Sequence, residues 1–404
     1  MIRNWLGAAL ILSALWQSAA ADAQTLVLKG GTLYASPEAS PISDAVVVTS
    51  SGVITAVGRS NEVQIPSGAR VIDCTGKTIV AGFWNSHVHF TEAVWRSAAS
   101  GPATPLTAHM QEMLTKWGVT TAWDLGANPD HTVPLRKRIN SGEVLGPTIF
   151  LVGSIFPKDG HPEYLPPEMQ LPMAATSEEA RQLAERYTQM GADGIKLFTG
   201  SYKGEDKPVV NMDPATAKAA VDVAHAAGKP VFAHPQNTAG VEAVISAGVD
   251  VMAHTVGRQR GYPPDQLARF REQNIALIPT LSLFAKLPIP PEISARLVDN
   301  VVSQVKSFSE NGGTVLFGTD VGFTQIYDTT LEYELMRRAL SERQILASLT
   351  TNPARYFKAA KKGLIAQGLD ADLVILEGDP IADVKNLAKV ATTIRAGQII
   401  YQKP

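Results

Sequence analysis

Apolar and polar positions follow two different rhythms along this chain. From residue 24 to about 77, short β-rich runs (Thr25-Leu-Val-Leu, Ala45-Val-Val-Val, Val53-Ile-Thr-Ala-Val) are separated by Gly, Ser and Pro clusters, the pattern of strands joined by turns. Residues 360–404 read the same way, with Ala371-Asp-Leu-Val-Ile-Leu, Thr392-Thr-Ile-Arg and Gln398-Ile-Ile-Tyr. Chain termini often lie close together, so the two ends are expected to pair into one small β-sandwich domain, 24–77 plus 360–404. The middle, 78–359, alternates. Apolar or β-branched runs occur at Thr78-Ile-Val, Thr120-Thr-Ala-Trp, Thr148-Ile-Phe-Leu-Val and Gly194-Ile-Lys-Leu-Phe. Four more follow at Pro230-Val-Phe-Ala, Val249-Asp-Val-Met-Ala, Ile275-Ala-Leu-Ile and Thr314-Val-Leu-Phe.

Most of these runs are separated by a helical pattern. Thr176-Ser-Glu-Glu179 has the form of a capping box, opening a helix with Ala180, Leu183, Ala184 and Tyr187 on one face. Asp213-Pro214 supplies an N-cap and a first-turn proline for the next helix, which Gly228 can end. Repeated strand–helix units favour a parallel sheet, and eight of them favour an α/β fold of the (β/α)8 TIM-type barrel. An open doubly wound sheet is the competing arrangement, but no G-x-G-x-x-G follows the first strand.

The first 23 residues have a different purpose. Arg3, the apolar run from Trp5 to Trp16 and the ending Ala21-Asp22-Ala23 together describe a secretory signal peptide, 1–23. The apolar run is short for a membrane span, so no anchor is expected after cleavage. The mature chain is expected to begin near Gln24 and to be secreted or periplasmic.

Composition narrows the chemistry. The 404 residues are 45% apolar and 18% charged, with 36 basic against 38 acidic residues for a net charge of -2. That is a globular balance without the basic footprint of a nucleic-acid binder, which leaves a small-molecule substrate as the expected partner. A homo-oligomer is left open. One cysteine, Cys74, excludes an internal disulfide framework and a Cys-rich metal site. Eight histidines remain as the main candidates for metal chemistry.

Their positions are informative. His87-Val-His89 follows the first barrel run, and two histidines at i and i+2 of an extended chain project to the same side, within reach of one ion. His234 ends the fifth run, His254 the sixth, and Asp320 the eighth. The active sites of such barrels are assembled at the C-terminal ends of the strands. Lys196 lies inside the fourth run, where a buried ammonium bears a heavy desolvation penalty. Either its ammonium reaches solvent at the barrel mouth, or it has reacted with carbon dioxide to give a carbamate able to bridge two metals. His109, His131 and His225 fall away from strand ends and read as structural or surface residues.

With these residues in this order, the chain resembles the amidohydrolase superfamily. Val71-Ile-Asp-Cys-Thr-Gly-Lys-Thr-Ile-Val is similar to that family's entry into the barrel. Thr351-Asn-Pro-Ala354 and Ala371-Asp-Leu-Val-Ile-Leu-Glu-Gly-Asp-Pro are similar to its return to the small domain. The likeness is to the branch of imidazolonepropionase-like proteins and metal-dependent Xaa-Pro dipeptidases (prolidases). Ala81 and Asn85 stand where Pro and Asp are common, and Gly363-Leu-Ile-Ala-Gln-Gly368 is unusual. None of these departures removes a ligand.

The resemblance implies two divalent ions, with zinc suited to a nitrogen and oxygen ligand set. His87, His89 and Asp320 would hold the more buried ion, His234 and His254 the more exposed one, and Lys196, as carbamate, would join them. A shared hydroxide, its pKa lowered from about 15.7 to about 7, would attack a polarised carbonyl. Asp320 would carry the proton to the leaving nitrogen. Xaa-Pro dipeptides and N-acyl amino acids are the candidate substrates. Hydrolysis of cyclic amides or deamination of a heterocycle is the alternative, and an extracytoplasmic binding protein with a degenerate site the other class. For substrate contacts the loops offer His161, Tyr202, Lys203 and Arg258, with Arg260 beside the last. Cations beyond a metal site suit a substrate carboxylate.

Overall fold

The computed structural model describes residues 25–126, 129–167, 170–204, 206–257 and 259–404. The expected signal segment, 1–23, and Arg258 lie outside the described residues. Among the described residues no helix is long and apolar enough to cross a membrane.

Two sheets organise the chain. The first contains β1 (Leu26–Leu33), β2 (Ile42–Ser50), β3 (Val53–Arg59), β4 (Arg70–Asp73) and β5 (Thr78–Ala81). The second is parallel, in the order of the chain: β6 (Phe83–Val88), β7 (Val119–Asp124), β8 (Thr148–Pro157) with the short β9 (Met173–Ala174) beside it, β10 (Gly194–Leu197), β13 (Val231–Ala233), β14 (Val251–Ala253) and β15 (Ala276–Ile278). A hairpin of β11 (Gly200–Ser201) and β12 (Val210–Asn211) follows β10. The C-terminal strands β16 (Leu373–Leu376), β17 (Val390–Arg395) and β18 (Gln398–Gln402) then return to the first sheet, in the order β18-β17-β16-β5-β1-β2-β3. That sheet branches at β1, where β4 and β5 pair with successive parts of one edge. Both chain ends therefore share one core, as the matching rhythms at the two ends predict. Cys74 is buried there, its thiol pushed up to about 11 by burial, which leaves it inert.

One strand expectation is corrected. Thr78-Ile-Val is not the first barrel strand. It pairs with β1 and β16 in the terminal sheet, and the barrel begins after Gly82, at Phe83. The run is buried along its whole length, so its periodicity cannot say which sheet it joins.

Seven strands of the barrel are regular, and the eighth position is an irregular segment that still closes the ring. Leu277 donates its N–H to the Thr314 carbonyl and accepts from the Leu316 N–H, while the Ser86 N–H reaches the Phe317 carbonyl. The expected Thr314-Val-Leu-Phe run thus bonds to the neighbours on either side without forming a full ladder. Trp84, Trp123, Val152, Phe232, Val251, Ile278 and Leu316 come from different strands but form one buried cluster, a packed floor.

The helices sit outside, and their ends follow local chemistry. The Thr176 side chain accepts the Glu179 N–H and opens the helix Ser177–Gln189, whose buried face is Ala180, Leu183, Ala184 and Tyr187. The Glu179 carboxylate bonds the Ala175 N–H, not that of Thr176, so only half of a capping box forms. Asp213 caps the helix Pro214–Ala226 through the Thr216 N–H. The helix Ser177–Gln189 approaches β8 closely because residue 153 is glycine: a Cβ there would lie 1.9 Å from the Tyr187 ring. Gly153→Ala is therefore expected to lower stability by about 1–3 kcal/mol through overpacking, read as a drop in the urea midpoint at unchanged slope.

Candidate metal centre

The ends of the parallel strands bring the chemistry-bearing residues together. His87 is in β6, and His89 lies just beyond it. β6 shifts register twice against β7, between Phe83 and Trp84 and between Asn85 and Val88. Bulged pairing of this kind re-aims side chains next to active sites. Asp320 comes alongside because the eighth segment pairs with β6: the Asp320 N–H donates to the His87 carbonyl at 2.9 Å and the His89 N–H to the Val321 carbonyl at 2.8 Å. Asp320 itself sits at φ 62, a left-handed conformation that non-glycine residues adopt rarely.

The polar atoms converge at one place. His87, His254 and Asp320, all buried, offer ligand atoms that lie within 4.8 Å of one another. Asp320 Oδ1 is 3.2 Å from His87 Nε2 and 2.7 Å from His89 Nε2, and Asp320 Oδ2 is 3.6 Å from His254 Nε2. His87 Nε2 and His89 Nε2 are 3.1 Å apart. Despite these approaches, Asp320 Oδ1 takes no hydrogen bond of good geometry and is a buried orphan. A buried carboxylate oxygen without a partner, faced by several imidazole nitrogens, fits a cation better than a hydrogen-bond network.

The electrostatics agree. Burial holds His87 and His254 well below the ordinary imidazole range and His234 at about 4, which leaves their nitrogen lone pairs available at neutral pH. Burial alone would raise the Asp320 carboxyl, but the His87, His254 and His89 rings hold it well below the usual carboxylate range. Lys196 is 1% exposed. Burial lowers its amine to about 7 against the opposing pull of Asp320. Its Nζ donates to the Ala253 carbonyl at 3.0 Å, and among the described residues it has no carboxylate within 4 Å.

The remaining expected residues fall around this centre. The His234 ring meets the His254 ring edge-on at 4.9 Å, and its Nε2 lies 3.0 Å from Gln236 Oε1. The facing nitrogens and oxygen of His87, His89 and Asp320, the three residues expected at the more buried ion, lie 2.7–3.2 Å apart, and His254 approaches the other Asp320 oxygen at 3.6 Å. The His161 Nε2 contacts the Leu171 carbonyl within its own loop, but its ring continues a stack through Phe156 and Phe198 to His234. Tyr202 is 38% exposed just beyond β11. The Lys203 carbonyl accepts the Glu163 N–H, tying the two loops together. Arg260 is exposed. His225 pairs with Asp250, and His109 with Glu92, away from the trio, in keeping with structural roles.

Several further contributors lie outside the expected site residues. The Asn85 amide donates to Thr319 Oγ1 at 2.8 Å, while its carbonyl accepts the N–H groups of His87 and Thr319. An aspartate could not make that donation, so the departure at residue 85 has a structural use. Tyr164, in the long loop after β8, is 59% exposed, and partial desolvation together with the fields of Asp320 and Tyr202 raises its hydroxyl. Thr280 Oγ1 lies 2.5 Å from His254 Nδ1.

Comparison with known proteins completes the assignment. The amidohydrolase family model matches residues 78–400. The chain belongs to the amidohydrolase family. As an amidohydrolase it is a hydrolase of carbon–nitrogen bonds, in a family generally dependent on metal. Ochratoxinase of Aspergillus niger is 23% identical over 95% of this chain and 88% of its own length. A crystal structure of a putative prolidase from Bifidobacterium longum superposes with a TM-score of 0.80 at 26% identity, covering 95% of this chain and 96% of that one. A Xaa-Pro dipeptidase with methionine bound in its active site gives a TM-score of 0.78 at 22% identity over 94% and 100%, a likeness of fold.

Gly322 tests the geometry of this amidohydrolase. It lies at φ +97, and a Cβ there would sit 1.7 Å from the His89 carbonyl oxygen. Gly322→Ala is expected to displace His89 and to lower divalent-metal content by elemental analysis while the circular dichroism spectrum stays that of the folded protein.

Proposed function

We propose that this chain hydrolyses the amide bond of a Xaa-Pro dipeptide or an N-acyl amino acid. The observation that carries the proposal is the convergence of His87, His89, His254 and Asp320 around a buried carboxylate oxygen that takes no well-formed hydrogen bond. The dipeptidase names borne by two structural relatives support the substrate class. The three-part N-terminal pattern supports work outside the cytoplasm on a small-molecule substrate.

His87, His89 and Asp320 would hold one divalent ion and His234 and His254 a second, with zinc the best match to nitrogen and oxygen donors. Such ions supply a water acidified from about 15.7 to about 7 and a polarised carbonyl. Asp320 accepts the proton of the attacking water on its carboxylate and delivers it to the leaving nitrogen. Tyr164 and Tyr202, both exposed on the loops that follow β8 and β11, would contact a substrate side chain. Lys196 would carry a carbamate: the neutral amine attacks carbon dioxide, the new N–C bond forms, and one proton leaves to solvent. A buried amine whose described hydrogen bond is a single carbonyl supports this, because an ammonium there would leave donors unused and repel two dications.

Chelation is expected to abolish turnover of Xaa-Pro dipeptides or N-acyl amino acids, and zinc, manganese or cobalt to restore it. Asp320→Asn should lower the rate by at least ~10²-fold, typical of a lost acid–base group, with a smaller loss of metal. Turnover confined to cyclic imides would replace the substrate assignment, and full activity in metal-free protein would refute the metal role.

Lys196→Ala should lose at least one metal equivalent and nearly all turnover, and Lys196→Arg should fail as well because it keeps the positive charge. Lys196→Glu should retain part of the metal. An unmodified Lys196 in an active, metal-loaded crystal would end the carbamate assignment.

A further inference from the structure

A fully buried carboxylate outside the expected ligand set lies three steps from the centre. Glu332, on the helix Thr330–Arg337 that follows the Asp320 loop, is 0% exposed. Its two oxygens accept the N–H groups of Leu281 at 2.8 Å and Ser282 at 2.6 Å. Those N–H groups begin the short helix Leu281–Ala285 just after β15. The residue before them, Thr280, is held at φ 46, ψ 53, a left-handed conformation that is an outlier for a β-branched side chain. Thr280 Oγ1 then meets His254 Nδ1 at 2.5 Å. A second bond, from the Thr255 hydroxyl to the Pro279 carbonyl at 3.3 Å, fastens the same two segments.

We infer that Glu332 and Thr280 are positioning residues that set the ring orientation and tautomer of His254, an inference that rests on the metal-binding reading of the centre. His254 Nε2 faces Asp320 Oδ2 at 3.6 Å. A neutral imidazole there has two choices. With the proton on Nε2 it would donate to the Asp320 carboxylate, filling the centre with a hydrogen bond and leaving no lone pair for a cation. With the proton on Nδ1 it donates to Thr280 Oγ1, and the Nε2 lone pair faces the centre. The geometry favours the second state. The 3.6 Å from Nε2 to Asp320 Oδ2 is too long for the hydrogen bond the first needs. Nδ1, by contrast, lies within donating distance of Thr280 Oγ1, the arrangement usual for a ligating histidine. Thr280 can accept that bond only from its strained conformation, and strain of this kind persists where the surroundings over-determine it. Glu332 supplies that constraint by clamping the two N–H groups that follow. Burial pushes its carboxyl up to about 7 against the pull of those bonds, so this is an unfavourable place for a carboxylate whose only purpose is solubility. The chain of contacts joins the loop after the eighth segment, the turn after β15 and the ligand after β14.

The test reads the ring directly. In metal-free protein labelled with 15N-histidine, long-range proton–nitrogen correlation spectra should show His254 as the Nδ1–H tautomer, assigned by its loss in His254→Asn. Thr280→Val should shift it toward Nε2–H, and Thr280→Ser, which keeps the hydroxyl, should restore the wild-type pattern. Glu332→Gln should mix the tautomers and weaken one zinc equivalent by about 10–100-fold in competition with a chromophoric chelator, the usual cost of losing an outer support of a ligand. The double variant Glu332→Gln/Thr280→Val should be no weaker than the worse single one, because the two residues act in series. Wild-type tautomer and zinc affinity in Glu332→Gln would overturn the inference. Should Glu332→Gln not fold, the Thr280→Val and Thr280→Ser pair decides it, with an unchanged tautomer in Thr280→Val as the refuting result. A wild-type protein that binds no zinc would instead defeat the metal reading, while the tautomer of the metal-free ring still reports on Thr280 and Glu332.

Discussion

Closure of the strand ring is the constraint on which the site depends. The eighth segment is too irregular to form a ladder, yet its backbone bonds to Leu277 on one side and to Ser86 and His87 on the other. Those bonds carry Asp320 from the end of the barrel's sequence to the side of its first strand. Without them, the carboxylate and the His87–His89 pair would be separated by the whole circumference. Asn85 reinforces the same seam from beneath by bonding Thr319 through both ends of its amide. The site is thus a property of the seam, and ring closure and assembly of the centre are one event.

Below the seam the interior is a buried aromatic cluster. Trp123 stacks against Phe150 and packs on Phe232 and Phe357, with ring centroids 4.8–5.0 Å apart. A floor of this kind excludes water from one side of the polar cluster and lowers the local dielectric, which strengthens interactions among the groups above it. The same burial keeps His87, His234 and His254 neutral. Packing and site chemistry therefore have a common origin in the alternation of inward and outward residues along short strands.

Much of this was legible in the amino-acid order because it rests on local rules. Metal-ligand types at successive strand ends need only the strand pattern and the barrel principle, and Thr176 and Asp213 announce their helices by side-chain chemistry alone. What was not legible depends on partners distant in sequence. Thr78–Ala81 is apolar throughout, so only its neighbours β1 and β16 reveal its sheet. Thr280 and Glu332 look like an ordinary loop threonine and an ordinary helix glutamate until the fold buries them together. Gly322 is one glycine among 32, distinguished only by the carbonyl of His89 above it. Tyr164 is exposed in a proline-rich loop, and the field of Asp320 that it feels has no signature in the order of residues.

The junction at Gly82 has a consequence for how the chain is made. β5 belongs to the terminal sheet and β6 to the barrel, with this single residue between them. Its N–H bonds the Asp372 carbonyl, and a Cβ there would strike Thr120 at 2.2 Å. β5 lies between β1, made early, and β16, made almost last. A nascent chain emerging from the ribosome therefore lacks the outer partner of β5 until residues 373–376 appear, although the strand bearing the first two histidines was synthesised long before. Domains commonly fold in the order they are translated, but here β5, one residue ahead of the first barrel strand, must wait for β16 to complete its pairing. A truncated product is left with an open edge at β5, next to the histidine strand, where unpaired strand groups invite aggregation. Full-length synthesis becomes a checkpoint written into the topology.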